Sequence, residues 1–581
     1  MTRTRLSGML FVTLAAALTS SSADAGIMLQ GFYHEPDTSK NWWEHMADIG
    51  PEVRTAGVTG IWIPAPTKGA SGGFSSGYDP YDLYDLGSKD QRSTVPTRFG
   101  SKEDLLAMIA VLHRLGIDVY ADAVVNHRSG GDNGGYDYHP RGSEGPGRLP
   151  MSRRDFNDPY ASDDWRKDVG GGRDLNQNEP YVRHGLQQWI KWFDNQTNVD
   201  GYRIDAAKHM DPWFIEGLLY QVQEGNFKNA GQRFVVSEFF DGNPYILSDY
   251  IHRTKRRSSV FDFGLRYNLK DVAHGNGYED IRQLLFHVKD YAKSVTFVNN
   301  HDTFHRGNGD DIFWRANLAH CMILTMPGYP CVFYKDLFDS RGWIRPYMRT
   351  LMWVNTFCAQ GDYRERWADG DLLVTERPGR LLTGMNDNNN DWRRAWVKTD
   401  FGGNRWLHDY TGIGPDIWTN EHGYAEISVP PGGYVNYAPA FTEGTPWPPA
   451  RRTVQEWQAA ADLDTRPAGE WWSEPVRIVS EKDAPIYVDL YLADKTVEAH
   501  VALFDWNGNL LSSAKGKGGH VYLSWLNPPE VSWYQVRVAL TKTGQNKRSD
   551  YTLKIGYEGS PWFPKKRPPH GNTDANVPPL R

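Results

Sequence analysis

The chain has 581 residues, too many for one hydrophobic core, so we expect several domains. Hydrophobic residues make up 39% of it and charged residues 23%, as in ordinary soluble proteins. A formal net charge of -7 excludes the strongly basic surface that nucleic acid or an anionic membrane would require, so neither partner is expected.

The N-terminus is typical of an export signal. Arg3 and Arg5 give it a positive start, residues 6–18 are apolar, and Ala-Asp-Ala at 23–25 fits a cleavage site. The apolar run is too short to span a bilayer. We therefore expect residues 1–25 to be a signal peptide and the protein to be secreted, either extracellular or periplasmic.

Between residues 26 and 360, short apolar runs alternate with amphipathic helical patterns. Buried runs separated by helices indicate parallel strands joined by crossover connections. Eight such units in this length predict an α/β fold, a (β/α)₈ barrel rather than an open sheet. The predicted strands are Ile27–Phe32, Gly60–Ala65, Asp118–Val125, Gly201–Ala206, Phe234–Phe239, Val260–Phe263, Val295–Asn299 and Tyr329–Tyr334.

The rest of the chain predicts smaller units. Residues 128–178, after the third strand, are rich in Gly, Asp and Pro and indicate a small inserted subdomain. Short strand patterns at 361–440 predict a C-terminal antiparallel β domain. A linker is expected at 441–460, an accessory β-sandwich at 461–557, and a Pro-rich, basic, disordered tail at 558–581.

The cysteines are sparse and odd in number. Cys321, Cys331 and Cys358 are the three in the chain, and their spacing fits no zinc site. Such a set makes no disulfide framework. We expect buried free thiols.

Four predicted strands end in polar residues that could carry chemistry. In a parallel barrel the carboxyl ends of the strands converge on one mouth, where active sites lie. The four segments are DVYADAVVNH at 118–127, GYRIDAAKH at 201–209, FVVSEFFD at 234–241 and FVNNHD at 297–302. Each alone could be an ordinary strand end or a structural ion pair, but together they indicate a catalytic site.

Three acids in these segments are candidates for catalysis. Arg203 and Asp205 are two apart on a strand and so point to one side, where the guanidinium favours the ionised carboxylate that a nucleophile requires. Glu238 lies among Phe and Val residues, and apolar surroundings should raise its pKa, which suits a proton donor. Asp302 follows His301 and supplies a third acid.

The four segments resemble the signature regions of the α-amylase family, glycoside hydrolase family 13. MLQGFYHE at 28–35, GYDPYDLYDLG at 77–87 and GGRDLNQNEPYV at 171–182 also match, so the resemblance covers about residues 26–440. The chain is similar to plant α-amylases and bacterial oligosaccharide-forming amylases. The resemblance implies an endo-acting, retaining hydrolase whose substrate is an α-1,4-glucan polysaccharide or oligosaccharide.

The resemblance also implies roles for individual residues. Asp205 would form a covalent glycosyl-enzyme, and Glu238 would act as general acid and then base. Asp302 would bind hydroxyls of the distorted sugar, and its charge would help to keep Glu238 protonated. The residues that match substrate contacts of the family are Tyr78 (a stacking platform), His127, Arg203 (which orients Asp205), Lys208, His209, His301 and, more weakly, Gln30.

A structural calcium ion is implied between the barrel and the inserted subdomain. Hard cations take oxygen ligands. Asn126, Asp174 and the backbone carbonyl of His209 match the ligands of the family, and Asp163 or another acid of the insert could complete the set. A chloride site, which some members have, is not predicted because only two of its ligands are matched.

Other functions remain open. An exo-acting maltooligosaccharide-forming amylase or a transglycosylase would have the same carboxylates, because subsite loops decide the products. A non-catalytic glucan-binding protein usually lacks one of the three acids, whereas all three are present here. Trp471, Trp472 and Trp506 could bind starch, although core packing is the commoner fate of Trp in such a domain. We expect a monomer.

Overall fold

The computed structural model describes most of the chain. The described residues are 26–36, 41–142, 145–146, 148–157, 172–224, 233–304, 310–340, 342, 344–439, 451–462, 476–480, 486–505, 507–525, 532–541 and 548–559. The predicted signal peptide, Asp163, and the tryptophans Trp471, Trp472 and Trp506 lie outside them, as do residues 560–581.

Eight parallel strands form a closed barrel in sequence order, which confirms the predicted fold class. Met28 pairs with both Gly60 and Cys331, so the first strand joins the second to the eighth. The predicted strands end later than the observed ones, because their last residues leave the ladder to build the mouth. The observed strands are β1 Ile27–Gln30, β2 Val58–Ile63, β3 Asp118–Ala123, β4 Gly201–Ile204, β5 Phe234–Ser237, β6 Ser259–Phe261, β7 Ser294–Phe297 and β8 Tyr329–Phe333.

Within the described residues, seven longer helices connect these strands and an eighth follows β8, and local chemistry sets several of their starts. Ser101 and Asp104 form a reciprocal capping box at the start of the second helix. Four helices begin with proline, whose fixed φ and missing N–H suit the first helical position. The helices are α1 Trp42–Thr55, α2 Lys102–Arg114, α3 Pro180–Thr197, α4 Pro212–Gln223, α5 Pro244–Arg253, α6 Phe263–His274, α7 Ala316–Thr325 and α8 Pro346–Phe357.

Short elements fill the connections. Strand His127–Arg128, just after β3, pairs with Arg173–Asp174, just before α3, so both ends of the predicted insert meet. Another ribbon pairs Lys68–Gly69 with Pro80–Asp82. The remaining short elements are strands Arg141–Gly142 and Gly145–Pro146, 3₁₀ helices Gly72–Phe74, Arg153–Asp155, Ala207–His209, Ile281–Leu285 and Tyr291–Lys293, and single helical turns Asp132–Gly135 and Tyr334–Leu337.

Antiparallel sheets follow the barrel. One has six strands in the order β9-β10-β11-β16-β13-β14, and β12 pairs with β15. Their inward side chains, such as Leu372, Val397 and Val435, form one buried core. The strands are β9 Arg364–Ala368, β10 Leu372–Arg377, β11 Leu381–Asn386, β12 Arg393–Lys398, β13 Trp406–Asp409, β14 Ile417–Trp418, β15 Tyr424–Val429 and β16 Gly433–Ala438.

The last β unit is an antiparallel sheet in the order β21-β20-β23-β18-β24-β19-β22, with β17 also paired to β24. Its two edge strands meet where Ser512 Oγ donates to the carbonyl of Ser524 at 3.4 Å. The strands are β17 Arg451–Asp462, β18 Val476–Ser480, β19 Ile486–Leu492, β20 Glu498–Asp505, β21 Leu510–Gly516, β22 His520–Trp525, β23 Ser532–Thr541 and β24 Arg548–Gly559.

The predicted linker at 441–460 is wrong in its second half. Residues 451–460 belong to β17, which pairs with β24 along its whole length. The strand was missed because its partner lies at the far end of the domain, and local pattern does not reveal so distant a pairing.

Two further expectations concern the whole chain. Cys321, Cys331 and Cys358 are buried and free, as predicted. No helix in the described part of the chain is long and apolar enough to cross a membrane.

Candidate active site

The ends of β4 and β5 place two acids side by side at the barrel mouth. Asp205 follows β4 and Glu238 follows β5. The backbone pairing continues past both strands, since the N–H of Glu238 donates to the carbonyl of Ile204 at 2.9 Å. Ala206 then adopts a left-handed conformation, with φ of 47°, and its N–H donates to Oε2 of Glu238 at 3.0 Å.

Arg203 lies at the base of the site and binds three carboxyl groups. Its Nη1 lies 2.5 Å from Oδ1 of Asp205, and its Nη2 lies 2.9 Å from Oε2 of Glu238. The same Nη1 donates to both oxygens of Asp122, at 3.0 and 3.1 Å. The guanidinium is only 1% exposed, so these carboxyl groups compensate a cation that burial alone would destabilise.

Asp122 is a site residue that sequence reasoning missed. It lies within β3 and also accepts hydrogen bonds from the hydroxyl of Tyr78 at 2.8 Å and from Nε1 of Trp62 at 3.2 Å. Burial raises its pKa to about 6, against the opposing charge of Arg203. An acid inside an otherwise apolar strand requires a partner, and that signal could have identified it.

Glu238 is the acid that holds its proton most strongly in this site. Burial raises its pKa to about 8. The negative charges of Asp205 and Asp302 also raise the pKa, and together with burial they outweigh the lowering effect of Arg203. The sequence predicted this direction from the flanking phenylalanines. Burial is the main cause, as predicted, but of the two phenylalanines only Phe239 is buried, whereas Phe240 is 54% exposed.

Asp302 lies at the outer rim and carries a charge that two imidazoles stabilise. Its Oδ1 lies 3.1 Å from Nε2 of His34, and its Oδ2 lies 3.5 Å from Nε2 of His301. Partial burial opposes ionisation, but His301, His34 and Arg203 together hold the pKa of Asp302 well below its usual range. His34 was not among the predicted site residues, since it belongs to the loop after β1.

Two predicted substrate residues contact His301 from different sides. The ring of Tyr78 stacks on the imidazole with 5.0 Å between centroids and 12° between planes. Gln30 is fully buried, and its Nε2 lies 2.9 Å from Nδ1 of His301. Gln30 thus lies against the inner side of His301, and its contact with substrate stays a prediction.

The other predicted substrate residues lie around the same mouth. His127 Nε2 lies 3.0 Å from the carbonyl of Tyr78 and fixes the loop that carries that ring. Lys208 Nζ donates to the Phe240 carbonyl at 3.0 Å and contacts Oδ2 of Asp241 at 3.2 Å. His209 ends the short 3₁₀ helix after Asp205.

Three predicted calcium ligands converge beside the site. One terminal atom of the Asn126 amide lies 3.2 Å from the His209 carbonyl oxygen and 3.3 Å from Oδ1 of Asp174. If that atom is oxygen, three acceptors face each other, an arrangement that a cation would stabilise. If it is nitrogen, it donates to both neighbours instead.

The site therefore combines acids of different proton affinity around one buried cation. Glu238 favours its protonated form at neutral pH, while Asp302 stays ionised at the rim. Asp205 and Glu238 share one guanidinium, so both can face a single bond of a bound molecule. Such a pair is suited to acid and nucleophilic catalysis.

The chain is similar to known proteins along most of its length. The chain is 29% identical over 552 residues to an alpha-amylase of Geobacillus stearothermophilus, covering 81% of this chain and 95% of that protein. It is 30% identical over 370 residues to the glucan 1,4-alpha-maltohexaosidase of Bacillus sp. strain 707, covering 54% of this chain and 71% of that protein.

A solved structure shares the fold. The alpha-amylase of Geobacillus thermoleovorans, complexed with acarbose, matches with a TM-score of 0.55 and 19% identity, covering 71% of this chain and 98% of that one. A model described as alpha-amylase C-terminal matches residues 381–438, and one described as alpha amylase, catalytic domain, matches residues 53–345. The catalytic-domain match spans half of the chain, which therefore belongs to the alpha-amylase family and is a glycoside hydrolase.

Proposed function

We propose that this enzyme cleaves internal α-1,4-glucosidic bonds of starch or related α-glucans by a retaining double displacement. The observation that carries the proposal is the sharing of Arg203 between Asp205, at 2.5 Å, and Glu238, at 2.9 Å. Retaining enzymes need their two carboxyl groups close together, about 5–5.5 Å apart, which a shared guanidinium favours.

In the first step, an Asp205 oxygen attacks the anomeric carbon while the glycosidic bond breaks. Glu238 gives its proton to the departing oxygen, consistent with a pKa of about 8 in the free enzyme. Arg203 keeps Asp205 ionised and oriented. In the second step, Glu238 removes a proton from water, which attacks the anomeric carbon and releases Asp205.

The rim residues bind the sugar whose bond is cleaved. Asp302 accepts hydrogen bonds from its hydroxyls, and its charge contributes to the raised pKa of Glu238. His301 and His127 contact the same sugar, and Tyr78 provides an apolar ring face for it. The hydrogen bond from Tyr78 to Asp122 fixes the tilt of that ring relative to Arg203.

We also propose a structural calcium ion at Asn126, Asp174 and the carbonyl of His209. It is supported by the convergence of the Asn126 amide, the Asp174 carboxylate and the His209 carbonyl, because each group has an oxygen of a type that calcium takes. Bound there, the ion would supply positive charge that ties the end of β3 to the segment before α3. Since His209 follows Asp205 closely, that tie would also steady the nucleophile loop.

Two further properties are proposals of the same kind. Secretion rests on the charged, apolar and small-residue pattern of residues 1–25. A monomeric state is our default expectation. The proposed catalytic mechanism depends on neither property.

A product-selective enzyme is the second candidate. Relatives named glucan 1,4-alpha-maltohexaosidase and glucan 1,4-alpha-maltotetraohydrolase are 30% and 27% identical to this chain over 370 and 350 residues. A time course on starch separates the two functions, because internal cleavage lowers viscosity before short sugars accumulate, whereas an exo-acting enzyme releases one oligosaccharide length from the start.

Retention is tested by proton NMR of a maltooligosaccharide during hydrolysis. The proposal expects the new reducing end to appear first as the α-anomer and then to mutarotate. Initial release of the β-anomer would contradict the mechanism.

A further inference from the structure

His34 brings a second imidazole to the rim of the active site. Its Nε2 lies 3.1 Å from Oδ1 of Asp302, while Nε2 of His301 lies 3.5 Å from Oδ2 of the same carboxylate. The ligand atoms of the three side chains all lie within 4.8 Å of one another. Within the described residues, no other group of three His, Cys, Asp or Glu side chains is arranged in this way.

These separations suit a tetrahedral cation. Zinc binds imidazole nitrogen and carboxylate oxygen at about 2.0–2.2 Å, which places neighbouring ligand atoms about 3.4 Å apart. Each imidazole lies near that distance from one oxygen of Asp302, His34 from Oδ1 and His301 from Oδ2, so the carboxylate would turn to present a single oxygen to the ion. The Asp302 side chain is 51% exposed and that of His34 is 25% exposed, so an ion and its water ligands can reach the site from the barrel mouth.

The surroundings of His301 can present a lone pair to such an ion. The His301 side chain is only 1% exposed, so the position of its ring is set by the groups that pack around it. Gln30 Nε2 contacts Nδ1, while Oε1 of Gln30 is buried without a hydrogen-bond partner. Rotating the amide places Oε1 against Nδ1, which then carries the proton and leaves Nε2 free to bind metal.

We propose that His34, His301 and Asp302 form an inhibitory binding site for a divalent transition-metal ion such as Zn²⁺. Two imidazoles and one carboxylate are ligands that zinc and copper prefer, whereas calcium prefers an all-oxygen set such as the one around Asn126. The inhibitory part rests on the proposed function: His301 and Asp302 would bind sugar hydroxyls, so ion and substrate exclude each other.

Isothermal titration of the full-length, calcium-saturated protein with ZnCl₂ tests the binding. Replacing His34 by Gln removes one imidazole, so we expect the affinity of one zinc site to fall at least tenfold, and the same for His34→Ala. The matched control is His113→Gln, because His113 also pairs with an aspartate, at 2.8 Å from Asp200, and its side chain is similarly exposed. The control should bind zinc as the parent does.

Thermal melting confirms that each variant is folded. If the parent and both folded His34 variants bound zinc with equal affinity, His34 would not be a ligand and the proposed zinc site would be refuted.

Steady-state kinetics on a blocked maltooligosaccharide tests the inhibition. Zinc should raise the KM of the parent without lowering kcat, excess calcium should not reverse the effect, and His34→Gln should be at least tenfold less sensitive. If zinc lowered kcat, or if excess calcium reversed the inhibition, the proposed competition between zinc and substrate would be overturned. A parent inactive on α-glucan would refute the proposed function instead, and the titration would still decide the metal site.

Discussion

Tyr78 and Asp122 share a 2.8 Å hydrogen bond that joins the proposed sugar platform to the carboxylate beneath Arg203. Tyr78→Phe keeps the ring but removes this bond to a charged acceptor. We expect the free energy of unfolding to fall by about 1.5–3 kcal/mol, the range for hydrogen bonds to charged groups, with little change in KM.

Chemical denaturation measures that loss. Tyr250→Phe is the matched control, because its buried hydroxyl donates to neutral Ser237 Oγ at 2.9 Å and should cost about 0.5–1.5 kcal/mol. If both variants lost the same free energy of unfolding, the charge on Asp122 would not strengthen its hydrogen bond with Tyr78.

The two central acids should be indispensable. Glu238→Gln cannot donate a proton and should lower kcat by about 10²–10⁴-fold, while Asp205→Asn should abolish turnover because no covalent intermediate can form. The rate on a blocked maltooligosaccharide measures both effects. A substrate with an activated leaving group should restore bond cleavage in Glu238→Gln but not in Asp205→Asn.

Exposed carboxylates provide the controls for that pair. Glu224→Gln and Asp249→Asn change the same chemical groups at side chains that are 59% and 64% exposed. Both should retain the parent rate. If Asp205→Asn kept nearly the activity of the parent, Asp205 would not be the nucleophile.

The pKa of Glu238 predicts a pH dependence. Catalysis needs its proton, so kcat/KM should fall to half at about pH 8 on the alkaline side. Because the folded state holds this proton up to about pH 8 while the unfolded chain loses it near 4.5, stability should decrease as pH rises through that window.

Glu238→Gln should flatten the stability profile between those two values. Urea unfolding at intervals from pH 4.5 to 8.5 provides the measurement. If the kcat/KM of the parent fell to half near pH 6, or if the stability profile of Glu238→Gln matched that of the parent, another group would govern this pH range.

Removal of calcium should destabilise the barrel. A ligand at one hundred times its Kd stabilises the folded state by about 2.7 kcal/mol, so EDTA should lower Tm by several degrees and added calcium should restore it. Asp174→Asn should have a lower Tm that no longer responds to calcium. The Tm of the control Asp249→Asn, at an exposed position, should respond to calcium as that of the parent does. If EDTA left the Tm of the parent unchanged, the calcium site would be ruled out.

The barrel could be predicted because each strand carries its own apolar run, which local sequence reveals. Arg203 and Asp205 could be placed together because alternation on a single strand puts them on one face. Asp122 could have been singled out as an acid within an apolar strand, but its partners Arg203 and Tyr78 could not. His34 could not be predicted, since its partner Asp302 lies 268 residues further along the chain. The raised pKa of Glu238 was predictable from burial, its main cause, but the added contributions of Asp205 and Asp302 depend on charges that only the assembled mouth brings together.

The pairing of Arg451 with Gly559 fixes how the last β unit is attached. Its opening and closing strands run antiparallel and end at the same edge, so the unit is entered and left at neighbouring points. The strand pairings of this unit are all made within residues 451–559, between its own strands. Because α1 and α2 of the barrel also contact its strands β18 and β17, the unit is held on the barrel by packing as well as by its chain connection.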